Sequence, residues 1–421
     1  MGETAVMRAA VSPSALNGTV AAIPAKSYAH RVLLAAARAE RECSVSGIYR
    51  SADVSATIAC LSALGAEIST EAGVARVRPI ANPPARALLP VGESGSTYRF
   101  LLPYVAAMGV PAEFSGTERL FARPTEPLIH VLNTHGAVTD GKTLSGRIEP
   151  GEYAIRGDIS SQYLTGLLLA LPTLKGDSRI VVSGEKVSGG YLDITLDVLR
   201  DFHIEITEEN NNYYVRGNQC FFAHDCRIEG DWSNAAFFLA AGAIGGDVTV
   251  ESLNPASVQG DKKILSLLAE MGAETECGAS SASARQNKLR GISADVGEIP
   301  DLVPILSVVA AFAEGKSVFT GVSRLRYKES DRLAAVADML ARAGIHAEAG
   351  EDVLTVCGGV PRGGAFVSYN DHRMVMSAAV LAAYAEGRSS IAGASAVAKS
   401  YPRFFEDFIA LGGKADVTME G

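Results

Sequence analysis

Residues 325–333 read Leu-Arg-Tyr-Lys-Glu-Ser-Asp-Arg-Leu and mix cations with carboxylates at high density. The charged members are Arg326, Lys328, Glu329, Asp331 and Arg332. In a chain that is only 20% charged, with a net charge of −9, such a mixture suits a site that binds small dianions and moves protons. The alternative is a solvent-exposed helix face with ion pairs three residues apart, such as Glu329 with Arg332. Taken alone, this segment leaves both interpretations open.

A second group of polar residues opens the first apolar helix. The segment Pro-Ala-Lys-Ser-Tyr-Ala-His-Arg places Lys26, Ser27 and Arg31 at or near the predicted helix N-terminus. Free backbone N–H groups and the helix dipole favour an anion at this position. Ser27 could act simply as the N-cap. The lysine beside it and the arginine one turn later favour anion binding.

Three further segments offer small polar residues before or between predicted helices. Gly95, within Gly-Glu-Ser-Gly-Ser-Thr-Tyr-Arg, would let the backbone approach a ligand closely before a helix predicted over 100–107. Ser160 and Ser161 precede a buried helix and could bind a phosphate or act as paired caps. Ser188, in Ser-Gly-Gly-Tyr, lies in a loop of the same kind.

The second half of the chain supplies a candidate base and more cations. Asp301 follows Pro300 and precedes an apolar helix, so it is either an N-cap or a general base. The candidate cations from both halves are Lys26, Arg31, Arg99, Arg123, Lys328, Arg332, Arg373 and Lys399. If these side chains converge, they would bind a ligand with more than one anionic group.

The elements that position these residues belong to a repeat. A helical pattern followed by a turn recurs six times, at intervals of about 70 residues. The turn residues are Gly65, Gly136, His203, Gly272, Gly344 and Gly412. Glycine suits these turns because it accepts the left-handed conformation that ends a helix. We predict a two-domain α/β protein with three units per domain, in which helices pack inside and sheets surround them.

Composition excludes several classes of function. No apolar stretch reaches the ~20 residues that a bilayer-spanning helix needs, and no signal peptide is evident. The six cysteines are scattered without a Cys-x-x-Cys pair, which predicts a reduced, cytoplasmic protein. Neither the cysteines nor the seven histidines have metal-ligand spacing. The acidic net charge, with no basic stripe, argues against nucleic acid as a partner.

Taken together, these motifs resemble the 5-enolpyruvylshikimate-3-phosphate (EPSP) synthases, along essentially the full chain. The resemblance rests on Lys-Ser-x-x-x-Arg, Ser-Ser-Gln, Lys-Glu-Ser-Asp-Arg-Leu, Asn-Asp-His-Arg-Met and a late Lys-Ser. It implies an inside-out α/β barrel fold with six β-α-β-α-β-β units, three per domain. The expected domains are 1–22 with 229–421, and 23–228, with the active site in the cleft between them. The implied protein is a monomer without metal or cofactor.

The implied reaction transfers the enolpyruvyl group of phosphoenolpyruvate to the 5-hydroxyl of shikimate 3-phosphate and releases phosphate. By resemblance, shikimate 3-phosphate would contact Lys26, Ser27, Arg31, Ser160, Ser161, Gln162, Ser188, Asp301 and Lys328. Phosphoenolpyruvate would contact Lys26, Gly95, Arg123, Gln162, Arg332, Arg373 and Lys399. Asp301 would take the hydroxyl proton, and Glu329 with Lys26 would serve proton transfer at the methylene carbon.

The closest alternative is the sister enzyme that acts on UDP-N-acetylglucosamine, with the same fold and chemistry. That family typically has Lys-Asn where this chain has Lys26-Ser27, and commonly a cysteine in a loop near Arg123, whereas here no cysteine lies between Cys60 and Cys220. A non-catalytic anion-binding protein would gain nothing from acids among its cations. Departures from the family pattern, such as Glu93 and Phe100 beside the glycine loop, bear on inhibition by glyphosate rather than on the reaction.

Overall fold

The computed structural model describes residues 6–184 and 189–420. Within these ranges the chain forms two compact units, one from Pro24 to Glu229 and the other from the residues up to Ile23 together with Gly230 onward. Each boundary lies one residue later than the bounds expected from the sequence. The N-terminal segment therefore belongs to the same unit as the C-terminal half.

Twenty-four strands and thirteen α-helices make up the described part of the chain. The strands are β1 (Val6–Ser12), β2 (Asn17–Ala21), β3 (Cys43–Ser46), β4 (Glu67–Glu71), β5 (Val74–Arg78), β6 (Ala87–Gly92), β7 (Ala112–Gly116), β8 (Ala137–Thr139), β9 (Thr143–Gly146), β10 (Glu152–Arg156), β11 (Ser178–Ser183), β12 (Ile206–Glu209), β13 (Asn212–Val215), β14 (Cys226–Arg227), β15 (Asp247–Glu251), β16 (Glu274–Cys277), β17 (Ser281–Arg285), β18 (Ser293–Asp295), β19 (Lys316–Thr320), β20 (Ala347–Ala349), β21 (Val353–Cys357), β22 (Ala365–Val367), β23 (Ser389–Ala392) and β24 (Lys414–Glu420).

The α-helices are α1 (Lys26–Ala36), α2 (Ala52–Ala63), α3 (Gly95–Met108), α4 (Glu118–Phe121), α5 (Glu126–Thr134), α6 (Ser161–Ala170), α7 (Gly189–Asp201), α8 (Trp232–Gly245), α9 (Ile264–Glu270), α10 (Val303–Ala311), α11 (Arg332–Arg342), α12 (His372–Tyr384) and α13 (Phe404–Ala410). Short 3-10 helices cover Leu171–Thr173, Gly260–Lys263, Pro300–Leu302, Ser323–Tyr327 and Ala394–Lys399.

The unit formed by residues 24–229 contains three four-stranded sheets of one design. Their strand orders are β6-β7-β9-β8, β10-β11-β13-β12 and β14-β3-β5-β4. In each sheet the first two strands are parallel and the other pairings are antiparallel. The parallel pair requires a helical crossover, which α3 supplies between β6 and β7. The third sheet takes its first strand, β14, from the far end of the unit.

The other unit repeats the design with the orders β2-β15-β17-β16, β18-β19-β21-β20 and β22-β23-β1-β24. Here β1 and β2 complete two of the sheets, β1 pairing with β23 and β24 and β2 pairing with β15. The expected domain bounds had placed the N-terminal residues with the C-terminal half, and β1 and β2 pair with strands of that half. The six sheets confirm the prediction of six units.

The turn that ends the repeated helix has the same backbone conformation in every copy. The φ angles are 105° at Gly65, 101° at Gly136, 58° at His203, 106° at Gly272, 75° at Gly344 and 97° at Gly412. Positive φ costs a residue with a side chain more than it costs glycine. His203 adopts it nonetheless, so the third copy keeps its geometry without the glycine.

Helices form the interior of each unit. In the unit containing both termini, α8, α10 and α12 contact one another and are buried around almost their whole circumference. In the other unit α1, α2, α3, α6 and α7 each contact the next, and α7 contacts α1 again. The sheets carry alternating buried and exposed residues, as in β6 and β10, so one face covers the helices. No helix within 6–184 or 189–420 is long and apolar enough to cross a membrane.

Candidate active site

The polar residues at the start of α1 are held by an ion pair with α2. Lys26 is the first residue of the helix, and its Nζ lies 2.7 Å from Oδ2 of Asp53, in the first turn of α2. The N-cap is Ala25, so the interpretation of Ser27 as a cap was wrong. Both charged side chains are largely but not fully buried. Asp53 was not singled out from the sequence, and only its place after a capping serine marks it.

Arg31 is a buried guanidinium that binds protein acceptors. It is 3% exposed, and it donates to Ser27 O, Thr165 Oγ1, Tyr191 O and Thr195 Oγ1 at 2.7–3.2 Å. These bonds tie α1 to α6 and α7 and occupy four of the five N–H groups of an arginine. Burial lowers its pKa to about 10, so the side chain stays charged at neutral pH.

Gly95 begins α3 and lies directly against Arg123. A Cβ atom at residue 95 would come within 2.6 Å of Arg123 Nη1, so only glycine allows this approach. The Nε of Arg123 is buried and has no hydrogen-bond partner in the described part of the chain. The helix starts five residues before the predicted Phe100, because Ser94 caps it by accepting from Thr97 N. Helix amides and a guanidinium therefore lie side by side.

Gln162 joins the starts of α6 and α3. Its Oε1 accepts from Arg99 Nη1 at 2.8 Å, and its Nε2 donates to Ser96 Oγ at 3.0 Å. Ser160 is the N-cap of α6 and accepts from the Gln162 backbone, while Ser161 is the first helical residue. The structure thus brings the Ser-Ser-Gln motif and the glycine loop together. Ser188 lies outside the described residues.

In the other unit, three cations surround Asp301. Its Oδ1 lies 2.7 Å from Arg332 Nη1 and 3.3 Å from Lys328 Nζ, and its Oδ2 lies 3.0 Å from Arg373 Nη2. Asp301 sits in the 3-10 helix Pro300–Leu302, and its side chain caps neither that helix nor α10. The interpretation of this residue as an N-cap was therefore wrong. Burial lowers the pKa of Lys328, an effect that Asp301 only partly offsets.

Arg332 is the centre of this cluster. Only 1% exposed, it binds Asp301 through Nη1, Glu329 through Nη2 at 2.5 Å, and Asp371 through Nε at 2.8 Å. Burial alone would lower its pKa, but the three carboxylates raise it well above its usual value. The predicted ion pair between Glu329 and Arg332 is present, but the arginine is buried rather than exposed to solvent. The alternative of a solvent-exposed ion-paired face is therefore wrong for this pair.

Asp371 is the buried carboxylate that sequence reasoning missed, although it lies in the Asn-Asp-His-Arg motif. It is fully buried, caps α12 by accepting from Arg373 N, and accepts from Ser330 Oγ at 3.0 Å. Burial works against its charge, but the Arg332 guanidinium outweighs this and lowers the pKa of the carboxyl. Asp371 thus fixes both Arg332 and the start of α12.

Two other polar residues of this unit lie in the segments around the Asp301 cluster. Lys399, at the end of the 3-10 helix Ala394–Lys399, donates from Nζ to Asn370 O at 2.6 Å. Asp261 is 6% exposed, and burial first and the charge of Asp301 second raise its pKa to about 6. Nothing in the sequence around Asp261 marked it as a site residue. No group of three or more potential metal ligands occurs among the residues that the structure describes.

Comparison with solved structures defines the class of protein. The enolpyruvyl transferase NikO from Streptomyces tendae shares the fold, with a TM-score of 0.77 over 99% of this chain and all of that one at 18% identity. EPSP synthase from Acinetobacter baumannii aligns with a TM-score of 0.82 at 25% identity, over 98% of this chain and 100% of that chain. The predicted inside-out α/β architecture is thereby confirmed.

The family is shown by sequence. The family model of EPSP synthase (3-phosphoshikimate 1-carboxyvinyltransferase) matches residues 11–408. A 3-phosphoshikimate 1-carboxyvinyltransferase from Clostridium novyi (strain NT) is 37% identical over 426 aligned positions, which cover 96% of this chain and 98% of that relative. The chain therefore belongs to the EPSP synthase family.

Proposed function

We propose that this protein transfers the enolpyruvyl group of phosphoenolpyruvate to the 5-hydroxyl of shikimate 3-phosphate and releases phosphate. Its membership of the EPSP synthase family supports the reaction. The structural observation that carries the proposal is the buried Arg332, which holds Asp301 and Glu329 on one guanidinium. A binding site for anions has no use for two acids there, whereas a reaction with two proton transfers does.

The phosphoenolpyruvate ligands in this proposal are cations together with backbone amides. They are Lys26, Gly95, Arg123, Gln162, Arg332, Arg373 and Lys399. The packing of Gly95 on Arg123 supports the assignment, because a guanidinium beside a helix N-terminus suits a phosphate or carboxylate. Arg332 and Arg373 already bind carboxylates of the protein, so their part is also to position Asp301.

Shikimate 3-phosphate in this proposal binds a set richer in hydroxyl groups. The set comprises Lys26, Ser27, Arg31, Ser160, Ser161, Gln162, Ser188, Asp301 and Lys328. The start of α6, where Ser160 and Ser161 meet the helix amides, supports a phosphate position. Arg31 has four protein acceptors, which leaves one N–H of Nη1 for a ligand.

The chemistry proceeds by addition and elimination. In the addition, Asp301 takes the proton of the 5-hydroxyl as its oxygen bonds to C2 of phosphoenolpyruvate, while Glu329 with Lys26 delivers a proton to C3. The resulting tetrahedral intermediate carries a methyl group, a carboxylate and a phosphate. In the elimination, the bond between C2 and the phosphate oxygen breaks, Asp301 returns its proton to the departing phosphate, and Glu329 recovers a proton from the methyl group. Atoms and charge balance without a metal or organic cofactor.

Substrate binding would itself activate Asp301. Arg332, Arg373 and Lys328 offset the charge of this carboxylate in the structure. Phosphate and carboxylate groups of the substrates would compete for the same cations. Weaker pairing makes the carboxylate a stronger base at the moment when both substrates are present. The cluster thus couples proton abstraction to occupancy of the site.

The test is a phosphate-release assay with purified protein, phosphoenolpyruvate and one acceptor at a time. Phosphate should appear in a one-to-one ratio with an enolpyruvyl ether of shikimate 3-phosphate, identified by mass spectrometry. UDP-N-acetylglucosamine should give no product. Turnover of UDP-N-acetylglucosamine without turnover of shikimate 3-phosphate would replace this proposal with the sister activity.

A further inference from the structure

A continuous chain of buried polar side chains links three helices in the unit 24–229. His30 Nδ1 lies 2.7 Å from Thr57 Oγ1, which lies 2.7 Å from Thr97 Oγ1, which in turn lies 2.7 Å from Ser94 Oγ. We call these four residues the hydroxyl chain. It joins α1, α2 and the N-cap of α3, and none of its members has been assigned a part in the reaction.

The hydroxyl chain is fully removed from solvent, since none of its members is more than 1% exposed. Buried polar groups of this kind are costly unless each is bonded, and fully bonded networks hold a single geometry. Burial, together with the nearby charges of Lys26 and Arg31, lowers the pKa of His30 well below its usual value. The imidazole is therefore neutral at the pH of the cell.

The neutral ring determines which atoms donate the hydrogen bonds that begin the hydroxyl chain. His30 Nε2 is buried and has no partner among the described residues, so the single ring proton belongs on Nδ1, where Thr57 can accept it. Thr57 then donates to Thr97, whose hydroxyl is hydrogen-bonded to Ser94 Oγ and donates to Asp53 O at 3.4 Å. Ser94 Oγ also accepts from Thr97 N, which fixes the first turn of α3.

We propose that His30 is a positioning residue that holds the turn at Gly95 in place through the hydroxyl chain. Gly95 directly follows Ser94, and its Cα faces the Arg123 guanidinium at a distance that permits no side chain. A small rotation of this turn would move the helix amides relative to Arg123. The hydroxyl chain therefore sets the affinity for phosphoenolpyruvate, an inference that rests on the proposed function.

The test removes single hydroxyl groups without changing side-chain shape. Thr57→Val and Thr97→Val should each raise the KM for phosphoenolpyruvate about fivefold, as expected for one lost hydrogen bond. The KM for shikimate 3-phosphate and kcat should change by less than about twofold. Because both substitutions break the same chain, the double variant should be no worse than either single variant. Thr57→Ser and Thr97→Ser should restore the wild-type KM.

The matched control is Thr139→Val in β8. Thr139 is also buried in this unit, and its Oγ1 donates to Thr143 O at 2.6 Å, outside the hydroxyl chain. This variant should lose a comparable amount of thermal stability and keep the KM for phosphoenolpyruvate. Nitrogen-15 NMR of the imidazole should show His30 protonated at Nδ1. A ring protonated at Nε2 would overturn the stated direction.

The outcomes separate this inference from the proposed function. An active wild-type enzyme whose Thr97→Val variant folds and keeps its KM for phosphoenolpyruvate would overturn the inference alone. Equal increases in KM in Thr97→Val and in the Thr139→Val control would also overturn it, because a general loss of packing would then explain both. A wild-type protein without turnover would overturn the proposed function and, with it, this inference.

Discussion

Arg332 Nη1 lies 2.7 Å from Asp301 Oδ1, although 31 residues separate them in sequence. The same guanidinium binds Glu329 and Asp371, so one buried arginine positions the proposed base and the proposed acid together. A geometry shared in this way keeps the two proton-transfer groups at a constant separation. Asp371, which touches neither group directly, holds the orientation of the arginine.

Asp371→Asn should be strongly destabilising. Removing one partner of a buried ion pair leaves the other charge uncompensated, which typically costs about 3–5 kcal/mol. The control is Asp338→Asn, because Asp338 pairs with Arg342 on the solvent-exposed side of α11. Exposed pairs contribute at most about 1 kcal/mol. Chemical denaturation of both variants measures the difference, and equal, small losses would contradict the central position of Arg332.

Glu329→Gln should fold and lose most of its turnover. General acid–base groups typically contribute about 10²–10⁴-fold in rate, so kcat should fall by at least about 100-fold. Glu406→Gln is the matched control, since Glu406 forms a pair with Arg403 at the same three-residue spacing but on an exposed surface. Steady-state kinetics of both variants decides the matter. A Glu329→Gln enzyme with wild-type kcat would remove Glu329 from the mechanism.

Gly95→Ala should weaken phosphoenolpyruvate selectively. The new Cβ would meet Arg123 Nη1 at 2.6 Å, and the flexible arginine would have to move away. Misplacing a charge-assisted contact costs about 1.5–3 kcal/mol, so the KM for phosphoenolpyruvate should rise at least tenfold. Gly151→Ala serves as the control, because its Cβ would meet only His135 at an ordinary 3.5 Å. An equal effect on both substrates would count against the assignment of Gly95.

Asp261→Asn should stabilise the protein in a pH-dependent way. Folding raises the pKa of this carboxyl from 3.8 to about 6, so stability falls as the pH rises from about 4 to about 6 and stays lower above that range. The asparagine cannot ionise, and the variant should gain up to about 3 kcal/mol at pH 8. At about pH 3.5, below both pKa values, the group is protonated in the folded and the unfolded protein alike, and the gain should nearly vanish. Thermal melts of the wild type and the variant at both pH values measure this difference in stability. A gain that is larger at low pH than at high pH would contradict the prediction.

Much of the fold could be predicted because the same helix-and-turn pattern recurs along the sequence. The turn residues Gly65, Gly136 and Gly272 mark helix ends, and all three have positive φ in the structure. Helix starts were less predictable where polar residues form the first turn. Helix α3 begins at Gly95 rather than at the first apolar residue, because capping by Ser94 is invisible to hydrophobic periodicity.

The candidate site was predictable by residue type but not by partner. Charge density marked Arg332, yet its carboxylate partners Asp301 and Asp371 lie 31 and 39 residues away. The packing of α11 beside α10 and α12 brings them together. Asp261 gave no signal at all, since its raised pKa arises from burial and from a charge that tertiary structure supplies. Local sequence patterns do not predict contacts between residues that are far apart in the sequence.

The most direct test of the proposed chemistry is deuterium incorporation in heavy water. Addition converts the methylene carbon of phosphoenolpyruvate to a methyl group, and elimination removes one hydrogen from it again. With shikimate 3-phosphate present, we predict deuterium at the methylene carbon of the product by NMR, with the labelled product formed at least about 100-fold more slowly by the Glu329→Gln variant. Product formed without deuterium would contradict an addition–elimination mechanism at this site.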